Sequence, residues 1–344
     1  MIQIKPTIQH SSDCPYCGTK MNPEDILWQG IHICVVSTCS SCGANIMEDL
    51  RAGHAIFYPY KVDLKNKNLI GNGKGENWFG MPMLNSLNNP NCDKVEFNVE
   101  MFRGSQNVVI LNCIDFLYGH SLLKLLNAGS HLKHNRELGL VIIVPKFLRW
   151  MIPEGVSEVW TVNIPLSKGQ DYYPELDRCI KRECKKFDTI YLSSAHSHTS
   201  CFDITNFTGV EKHDFNENNF RITFVWREDR LWCGGELFLA AIRDPGLIWP
   251  LLLWQNLKIC ILFSLLRRKF PQAQFTVAGL GKKTDFPAWI DDKRVERFTD
   301  ESDKGLCKVY SESRLAIGVH GSNMLLPSAH AGLAIDLMPV YRWP

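Results

Sequence analysis

The sequence predicts an α/β protein with two parallel, doubly wound halves, preceded by a small zinc-ribbon-like β segment. Two CxxCG turns near the N-terminus indicate the small segment, because thiolates paired on tight turns are typical of metal-bound β structure. After residue 105, apolar strand-like runs alternate with helix-like runs over two successive stretches. This alternation predicts parallel sheets, because helices usually connect parallel strands.

The composition is that of an ordinary globular protein, with 45% hydrophobic and 22% charged residues among 344. This length suggests two or more domains. The net charge of +2 argues against a basic face, so no nucleic-acid partner is expected. The N-terminus lacks the apolar core of a signal peptide, and thirteen cysteines without such a signal indicate a reducing compartment. We therefore expect a cytoplasmic protein.

The longest apolar run covers residues 247–266 and reads LIWPLLLWQNLKICILFSLL. Pro250, Gln255, Asn256 and Lys258 interrupt it, so we interpret it as a buried helix and expect no transmembrane segment. A membrane span is the alternative interpretation, and peripheral association with a membrane stays open.

The two CxxCG turns supply four candidate metal ligands: Cys14, Cys17, Cys39 and Cys42. Each turn presents two thiolates, and two such turns complete a tetrahedral four-sulfur site. The residues between them alternate in polarity and predict a β-hairpin. We predict a structural zinc ion, because four cysteines leave no open coordination position. Iron in a rubredoxin-like site and a redox-active CxxC pair are the alternatives.

Composition and periodicity divide the chain into four parts. Residues 1–50 form the zinc-ribbon-like segment, and 51–105 form a linker or irregular region rich in Asn, Gly and Lys. A phosphate-binding P-loop is excluded there, because the GxxxxGK[ST] order is absent. Residues 106–217 form the first α/β half, and 218–344 form the second.

In the first half we expect strands at 107–112, 138–145, 156–164 and 187–193. Asp115 and His120 follow the first strand, where a helix begins. A histidine at a helix N-terminus is pushed toward its neutral form, which suits a general base. The alternative for His120 is an exposed cap residue. His196, His198 and Cys201 follow the fourth strand, and metal ligation, substrate contact and an ordinary loop all stay open for them.

In the second half we expect strands at 220–226, 274–278, 295–299, 315–319 and 333–338. Arg227 and Arg230 follow the first of these strands. Two arginines at a strand end can bind phosphate oxygens through their planar guanidinium groups. The alternative for them is a solvated charged turn.

The turn after the fourth strand of this half contains His320, Gly321, Ser322 and Asn323. In open α/β sheets ligands bind where a parallel strand ends and a helix begins, because the helix N-terminus offers unpaired N–H groups to an anion. Gly321 allows close approach of a ligand to the backbone, and Ser322 and Asn323 suit a helix cap. An ordinary βαβ corner is the alternative.

The second half resembles the last sheet of GT-B glycosyltransferases, which consist of two Rossmann-like halves. The residues that carry the resemblance are VHGSNM at 319–324 and PSA at 327–329, followed by a strand and Pro339. They are most similar to the group containing plant β-1,2-xylosyltransferases and EGF-domain O-GlcNAc transferases. A fainter similarity to heptosyltransferases involves the turn with Asp115 and Gly119, where His120 replaces their catalytic Asp.

The resemblance implies a glycosyltransferase with a nucleotide-sugar donor and a glycan or protein acceptor. Arg227 and Arg230, or Lys282 and Lys283, would offset the charge of the leaving diphosphate. No divalent metal would be needed there, in agreement with the lack of an Asp-x-Asp motif. His120 or Asp115 would be the base.

The second hypothesis is a non-catalytic binding module, in which a zinc ribbon accompanies a degenerate transferase-like sheet. GT-B chains usually end with a helix that crosses back to the first half, and the sequence stops before one. Whether the second half is truncated therefore stays open.

Overall fold

The computed structural model describes residues 1–52, 57, 59–71, 76–194, 202–217, 220–229, 231–232, 246 and 248–338. These residues form a mixed α/β structure with three sheets, which confirms the predicted class. The chain divides into two compact units, Met1–Asp203 and Ile204–Pro344. The residues of interest that lie outside the described residues are Arg230, His196, His198 and Cys201.

The first unit begins with β1 (Ile2–Lys5) and continues into an antiparallel sheet whose five strands follow one another in chain order. Its strands are β2 (Asn22–Trp28), β3 (Ile33–Thr38), β4 (Asn45–Asp49), β5 (Lys61–Asp63) and β6 (Asn68–Ile70). The first CxxCG turn precedes β2, and the second connects β3 to β4. The hairpin predicted between the two turns is therefore present as β2 and β3.

Residues 51–105 differ from the linker or irregular region that the sequence predicts, because they contain short regular elements. β5 and β6 extend the antiparallel sheet. A π-helical turn (Glu76–Gly80) leads into α1 (Met81–Asn88), and β7 (Phe97–Met101) joins the edge of the next sheet. β5 and β6 have three residues each, too few for the alternation of a strand to show in the sequence.

The second sheet of the first unit has six strands in the order β1-β11-β8-β9-β10-β7. Its central strands are parallel, and β1 and β7 are antiparallel at the edges. The central strands are β8 (Asn107–Asn112), β9 (Gly139–Pro145), β10 (Glu158–Val162) and β11 (Thr189–Leu192), so all four predicted strands are present. The connections contain α2 (Tyr118–His134), two 3₁₀ turns (Lys146–Met151 and Leu166–Lys168) and α3 (Pro174–Cys184).

The two sheets of the first unit share one hydrophobic core. Trp28 and Val35 of the β2–β3 hairpin pack in the same cluster as Trp160 of β10 and Leu176 of α3. The backbone N–H of Trp28 also donates a hydrogen bond of 2.8 Å to the carboxylate of Asp177 on α3. The segment with the two CxxCG turns is therefore part of the first compact unit.

The second unit contains one sheet of five parallel strands in the order β14-β13-β12-β15-β16. Its elements are α4 (Thr205–Thr208), β12 (Arg221–Arg227), α5 (Ile248–Lys269), β13 (Gln274–Leu280), β14 (Asp291–Val295), α6 (Asp300–Ser311), β15 (Ser313–Val319), a 3₁₀ turn (Ser322–Met324), α7 (Leu325–His330) and β16 (Leu333–Leu337). α5 packs against one face of the sheet, whereas α6 and the 3₁₀ turn pack against the other.

The third strand of this sheet, β14, lies four residues before the predicted one at 295–299. It reads DDKRV and has little of the apolar pattern expected of a strand. Its buried position is filled by Arg294, whose guanidinium lies 5.0 Å from the ring centre of Trp226 and 4.6 Å from that of Phe286. Asp292 pairs with the same guanidinium at 2.7 Å. Because a paired arginine replaces the usual aliphatic residue, sequence periodicity misplaces this edge strand.

Helix α5 is buried on one face only, whereas the sequence predicts a buried helix. Leu252, Ile259 and Phe263 are buried against the sheet, while the opposite side is exposed. By length and composition alone, α5 is the one helix in the described part of the chain that could cross a membrane.

Gly279 in β13 supports a prediction about stability. Its φ is 127°, and a Cβ placed there would lie 2.2 Å from the carbonyl oxygen of Trp226. Because both the backbone conformation and the clash oppose a side chain, Gly279→Ala should lower the free energy of unfolding by about 2 kcal/mol or more. Chemical denaturation followed by tryptophan fluorescence measures this change.

Gly305→Ala is the matched control, because Gly305 is in α6 and a Cβ there meets nothing within 4 Å. It should raise the free energy of unfolding by about 0.5–1 kcal/mol. Equal effects of the two substitutions would contradict the backbone argument.

Candidate functional site

The two CxxCG turns have the same backbone geometry. The N–H of Gly18 donates to the carbonyl of Cys14, and the N–H of Gly43 donates to the carbonyl of Cys39, both at 2.9 Å. Gly18 and Gly43 have φ of 73° and 70°, a conformation that glycine adopts without strain. Each turn therefore closes on its first cysteine and directs both of its thiols to one side.

The four predicted thiols come together at one point. Their Sγ atoms all lie within 4.8 Å of one another, and the Cys14–Cys42 and Cys17–Cys39 pairs are each 3.5 Å apart. A tetrahedral zinc site with Zn–S bonds of about 2.3 Å requires sulfur–sulfur distances of about 3.8 Å. The cluster could therefore hold a metal ion such as zinc. Both of these 3.5 Å pairs join one turn to the other, as a four-sulfur site requires.

The pKa values of two of the thiols show how strongly the four sulfurs interact with one another. A hydrogen bond with the Thr19 hydroxyl lowers the pKa of Cys17 to about 6. The backbone of Ala44 lowers the pKa of Cys42, but the neighbouring sulfur of Cys14 and burial outweigh it and raise the pKa to about 12. Several thiolates at this spacing repel one another, and a bound cation would remove that repulsion. Four cysteine ligands would leave a bound metal ion no open coordination position for a substrate, so the role of the metal would be structural.

The hairpin that carries this cluster reaches the carboxyl edge of the six-stranded sheet. The side chain of Asn112, at the end of β8, donates to the carbonyl of Gly30 at 2.8 Å. The N–H of Ile31 donates to the carbonyl of Gly169, which follows β10, at 3.2 Å. A Cβ on Gly169 would lie 2.6 Å from the carbonyl oxygen of Asp115. The segment with the two CxxCG turns thus packs against the loop that carries Asp115.

Asp115 and His120 are paired at this edge, as their positions after β8 suggested. Asp115 is buried, and Lys124, which is also buried, places its Nζ 2.9 Å from Oδ2 of Asp115. Burial raises the pKa of Asp115, but the charge of Lys124 and hydrogen bonds from His120 and Lys124 outweigh it and lower the pKa to about 2. Asp115 is therefore ionised at neutral pH and is a poor proton acceptor.

His120 is the better candidate for a base in this pair. Its side chain is 35% exposed, and Nδ1 lies 3.5 Å from Oδ1 of Asp115. A carboxylate at this position favours the tautomer with the proton on Nδ1, so that Nε2 can accept a proton from a substrate. Asp115 would then orient the ring.

Lys124 belongs to this site, but sequence reasoning did not single it out. It lies four residues after His120 on α2, inside the apolar run LLKLL. Its Nζ also donates to the carbonyl of Ile114 at 2.8 Å. A lysine within an apolar helical stretch was the signal, because such a residue needs a buried partner for its charge.

In the second unit, Arg227 and the turn at 320–323 lie at the carboxyl edge of one sheet. β12 and β15 are adjacent parallel strands in the order β14-β13-β12-β15-β16, although they are the first and fourth strands of this sheet along the chain. The helices that follow them pack on opposite faces of the sheet. The border between two such strands is the topological switch point of an open α/β sheet, where ligands generally bind.

Residues of the neighbouring strand β16 hold the turn after β15 in place. The N–H of His320 donates to the carbonyl of Leu337 at 3.1 Å, and Nδ1 of His320 lies 2.8 Å from Oδ2 of Asp336. Gly321 follows with a φ of 156°, and Ser322 begins the 3₁₀ turn. This backbone leaves no side chain at position 321, so a ligand could approach the turn closely.

Asn323 does not cap a helix in the way its sequence position suggests. Its side-chain amide donates to the carbonyl of Val319 at 3.2 Å, and its Oδ1 is buried without a hydrogen-bond partner in the described part of the chain. Asn323 thus ties the turn back to the strand. The helix α7 that follows has only six residues.

Arg227 is bound by an acidic neighbour. Its Nε and Nη2 both donate to the carboxylate of Asp229 at 2.8 Å. Asp229 is exposed, and an exposed ion pair contributes only about 0–1 kcal/mol, so a phosphate could displace it at little cost. Of the alternative cations, Lys283 pairs with Glu228 at 3.0 Å. Arg230 lies outside the described residues.

Comparison with protein-family models, curated proteins and solved structures gives no match to the chain.

Metal removal provides a test of the four-cysteine cluster. The purified protein should contain one equivalent of metal, and a chelator should lower the thermal midpoint of the first unit, because the cluster closes the turns beside its core. Cys39→Ser should abolish metal binding in elemental analysis. Cys92→Ser is the control, since Cys92 is exposed and outside the cluster. Full metal content in Cys39→Ser would contradict the ligand assignment.

The pKa of Asp115 predicts a pH dependence of stability. Its pKa falls from 3.8 to about 2 on folding, so its contribution is present above pH 4 and is lost as the pH falls toward 2. A shift of this size corresponds to about 2 kcal/mol. In Asp115→Asn, the free energy of unfolding should therefore depend less steeply on pH between 4 and 2. An unchanged slope in denaturation curves would contradict the assignment.

Proposed function

We propose that the protein is a glycosyltransferase of the GT-B type, which moves a sugar from a nucleotide-sugar donor to a hydroxyl group of a glycan or protein. In this proposal each unit contains a Rossmann-like domain, the second for the donor and the first for the acceptor. The observation that carries it is the position of Arg227 and the turn at 320–323 at the switch point between β12 and β15.

The donor would bind with its diphosphate at this switch point. Gly321 permits close approach of the phosphate oxygens to the backbone, and His320 is half-exposed beside them. The guanidinium of Arg227 can form a bidentate pair with phosphate once Asp229 is displaced. As the glycosidic bond to the diphosphate breaks, these groups stabilise the charge that develops on the leaving oxygen.

The acceptor hydroxyl would be deprotonated in the first unit. Nε2 of His120 accepts its proton, the hydroxyl oxygen forms a bond to the anomeric carbon, and the electron pair of the broken bond leaves with the diphosphate. The ionised carboxylate of Asp115 stabilises the imidazolium that results. Lys124 keeps Asp115 ionised and holds its carboxylate in place, so Lys124 is a positioning residue.

The metal-binding segment would support the base. The four thiolates would hold a structural zinc ion. The hairpin that follows the first CxxCG turn contacts Asn112 and Gly169 beside the loop of Asp115. Loss of the metal would loosen this hairpin and, with it, the position of the base. The zinc ion itself takes no part in the transfer.

A non-catalytic binding module is the second candidate function. The observation that favours it is the bidentate pairing of Arg227 with Asp229, which neutralises a group that donor binding needs. In that case the crevice would hold a glycan or a partner protein and release no nucleotide.

The test measures binding and turnover separately. Thermal-shift and calorimetric titration of the full chain with UDP-, GDP-, ADP- and CMP-sugars should identify one donor. His320→Ala and Arg227→Ala should each weaken its binding about tenfold or more, the effect of a lost charge-assisted hydrogen bond. Release of the nucleotide, with or without added acceptors, reports turnover. His120→Ala should lower that rate about 10²–10⁴-fold and leave donor affinity intact.

His134→Ala is the matched control, because His134 lies at the opposite end of the same helix. His134→Ala should change neither the donor affinity nor the rate of nucleotide release. Absence of binding to every nucleotide sugar by folded protein would overturn the transferase proposal. Donor binding without nucleotide release would favour the binding module, and normal turnover by His120→Ala would place the base elsewhere.

A further inference from the structure

The outer face of α5, defined by Trp249, Leu253, Trp254, Leu257, Ile261 and Leu265, is apolar and exposed. These six side chains are between 48% and 54% exposed. Five of them recur at intervals of four residues and therefore form one stripe along the helix. A contiguous exposed apolar surface of this kind marks a site of interaction.

The opposite side of α5 fixes the helix in its unit. Gln255 accepts a hydrogen bond from the N–H of Trp232 at 2.5 Å. The amide of Asn256 donates to the carbonyl of Asp285 at 2.9 Å and to the hydroxyl of Thr284 at 3.2 Å. Because these bonds and the buried Leu252, Ile259 and Phe263 belong to the core of the unit, α5 cannot cross a bilayer without dismantling it. An occupant of the outer face must come to the surface of the folded unit.

The charges of α5 indicate an anionic occupant. The helix contains four cations and no aspartate or glutamate, and three of the cations are its last residues, Arg267, Arg268 and Lys269. A cavity of about 400 Å³ lies at this end, lined by Ser264, Arg267, Arg268 and Trp289. The guanidinium of Arg267 lies 5.3 Å from the ring centre of Trp289. Two guanidinium groups and a hydroxyl in one cavity suit a phosphate group.

A second copy of the chain fits this face less well. In an antiparallel pair of α5 helices, the cationic end of each would meet the first turn of the other, which carries no carboxylate. A parallel pair would place the cations against each other. An anionic lipid surface supplies both apolar chains and phosphates, and tryptophan prefers the interface between them.

We propose that the second unit binds the surface of an anionic lipid bilayer through α5. The helix lies parallel to the surface, its outer face inserts among the acyl chains, and Arg267 and Arg268 bind lipid phosphates. This inference is independent of the proposed transferase activity, because it uses no residue of either candidate site.

Vesicle flotation of the full chain tests the inference. The protein should float with vesicles of phosphatidylcholine and phosphatidylglycerol, bind phosphatidylcholine alone at least about tenfold more weakly, and dissociate as salt is raised. Leu257→Glu should weaken binding to the mixed vesicles at least about tenfold, because it removes an inserted side chain and adds a repelled charge. Arg267→Glu with Arg268→Glu should have a similar effect.

Two substitutions in the same unit are matched controls. Leu333→Glu changes a leucine that is 59% exposed on β16, and Lys304→Glu reverses an exposed charge on α6. Both should leave vesicle binding unchanged, and thermal unfolding verifies that every variant is folded. No flotation with anionic vesicles, or equal losses in the controls, would overturn the inference. A dimer in light scattering that Leu257→Glu dissociates would also overturn it, in favour of a second copy.

Discussion

Each parallel sheet places its earliest parallel strand beside the fourth, and both candidate sites depend on this order. In the first unit β8 lies between β9 and β11, and in the second β12 lies between β13 and β15. In open α/β sheets generally, ligands bind at the carboxyl edge beside a strand of this kind. Asp115 follows β8, and Arg227 ends β12. Both groups of candidate residues therefore follow from the strand order of their sheets rather than from any single loop.

Buried cations recur in both units, and each is matched by a carboxylate. Lys124 with Asp115 supports a candidate base in the first unit, whereas Arg294 with Asp292 fills an edge strand of the second. Removal of one partner from such a pair would leave an unmatched buried charge, which is much more costly than loss of a surface pair. Lys124 also donates to the carbonyl of Ile114 and Arg294 to the hydroxyl of Thr284, so each buried cation ties its carboxylate to a neighbouring backbone segment or loop.

The sequence predicts well the features that are encoded locally. The four candidate metal ligands can be predicted because they lie in two short CxxCG turns. The apolar strands β8 and β9 can be predicted because each is long enough to show its apolar pattern. Features that depend on distant contacts were missed. The predicted position of β14 is displaced because its inward residue is Arg294. The lysine inside the apolar run LLKLL indicates a buried charge, but the sequence does not identify Asp115 as the partner of Lys124. The donor, the acceptor and the transfer itself stay predictions, since no local pattern specifies them.

The contact between the hairpin tip and the sheet edge has a consequence for how such a sequence can change. A Cβ on Gly30 would lie 2.8 Å from the carbonyl oxygen of Gly169, and one on Gly169 would lie 2.6 Å from that of Asp115. Three backbone segments are therefore stacked with no space for a side chain between them. Positions 30 and 169, although distant in the chain, are therefore under the same steric constraint. A side chain at either position would therefore require movement of backbone in the hairpin, the loop after β10 or the loop that carries Asp115.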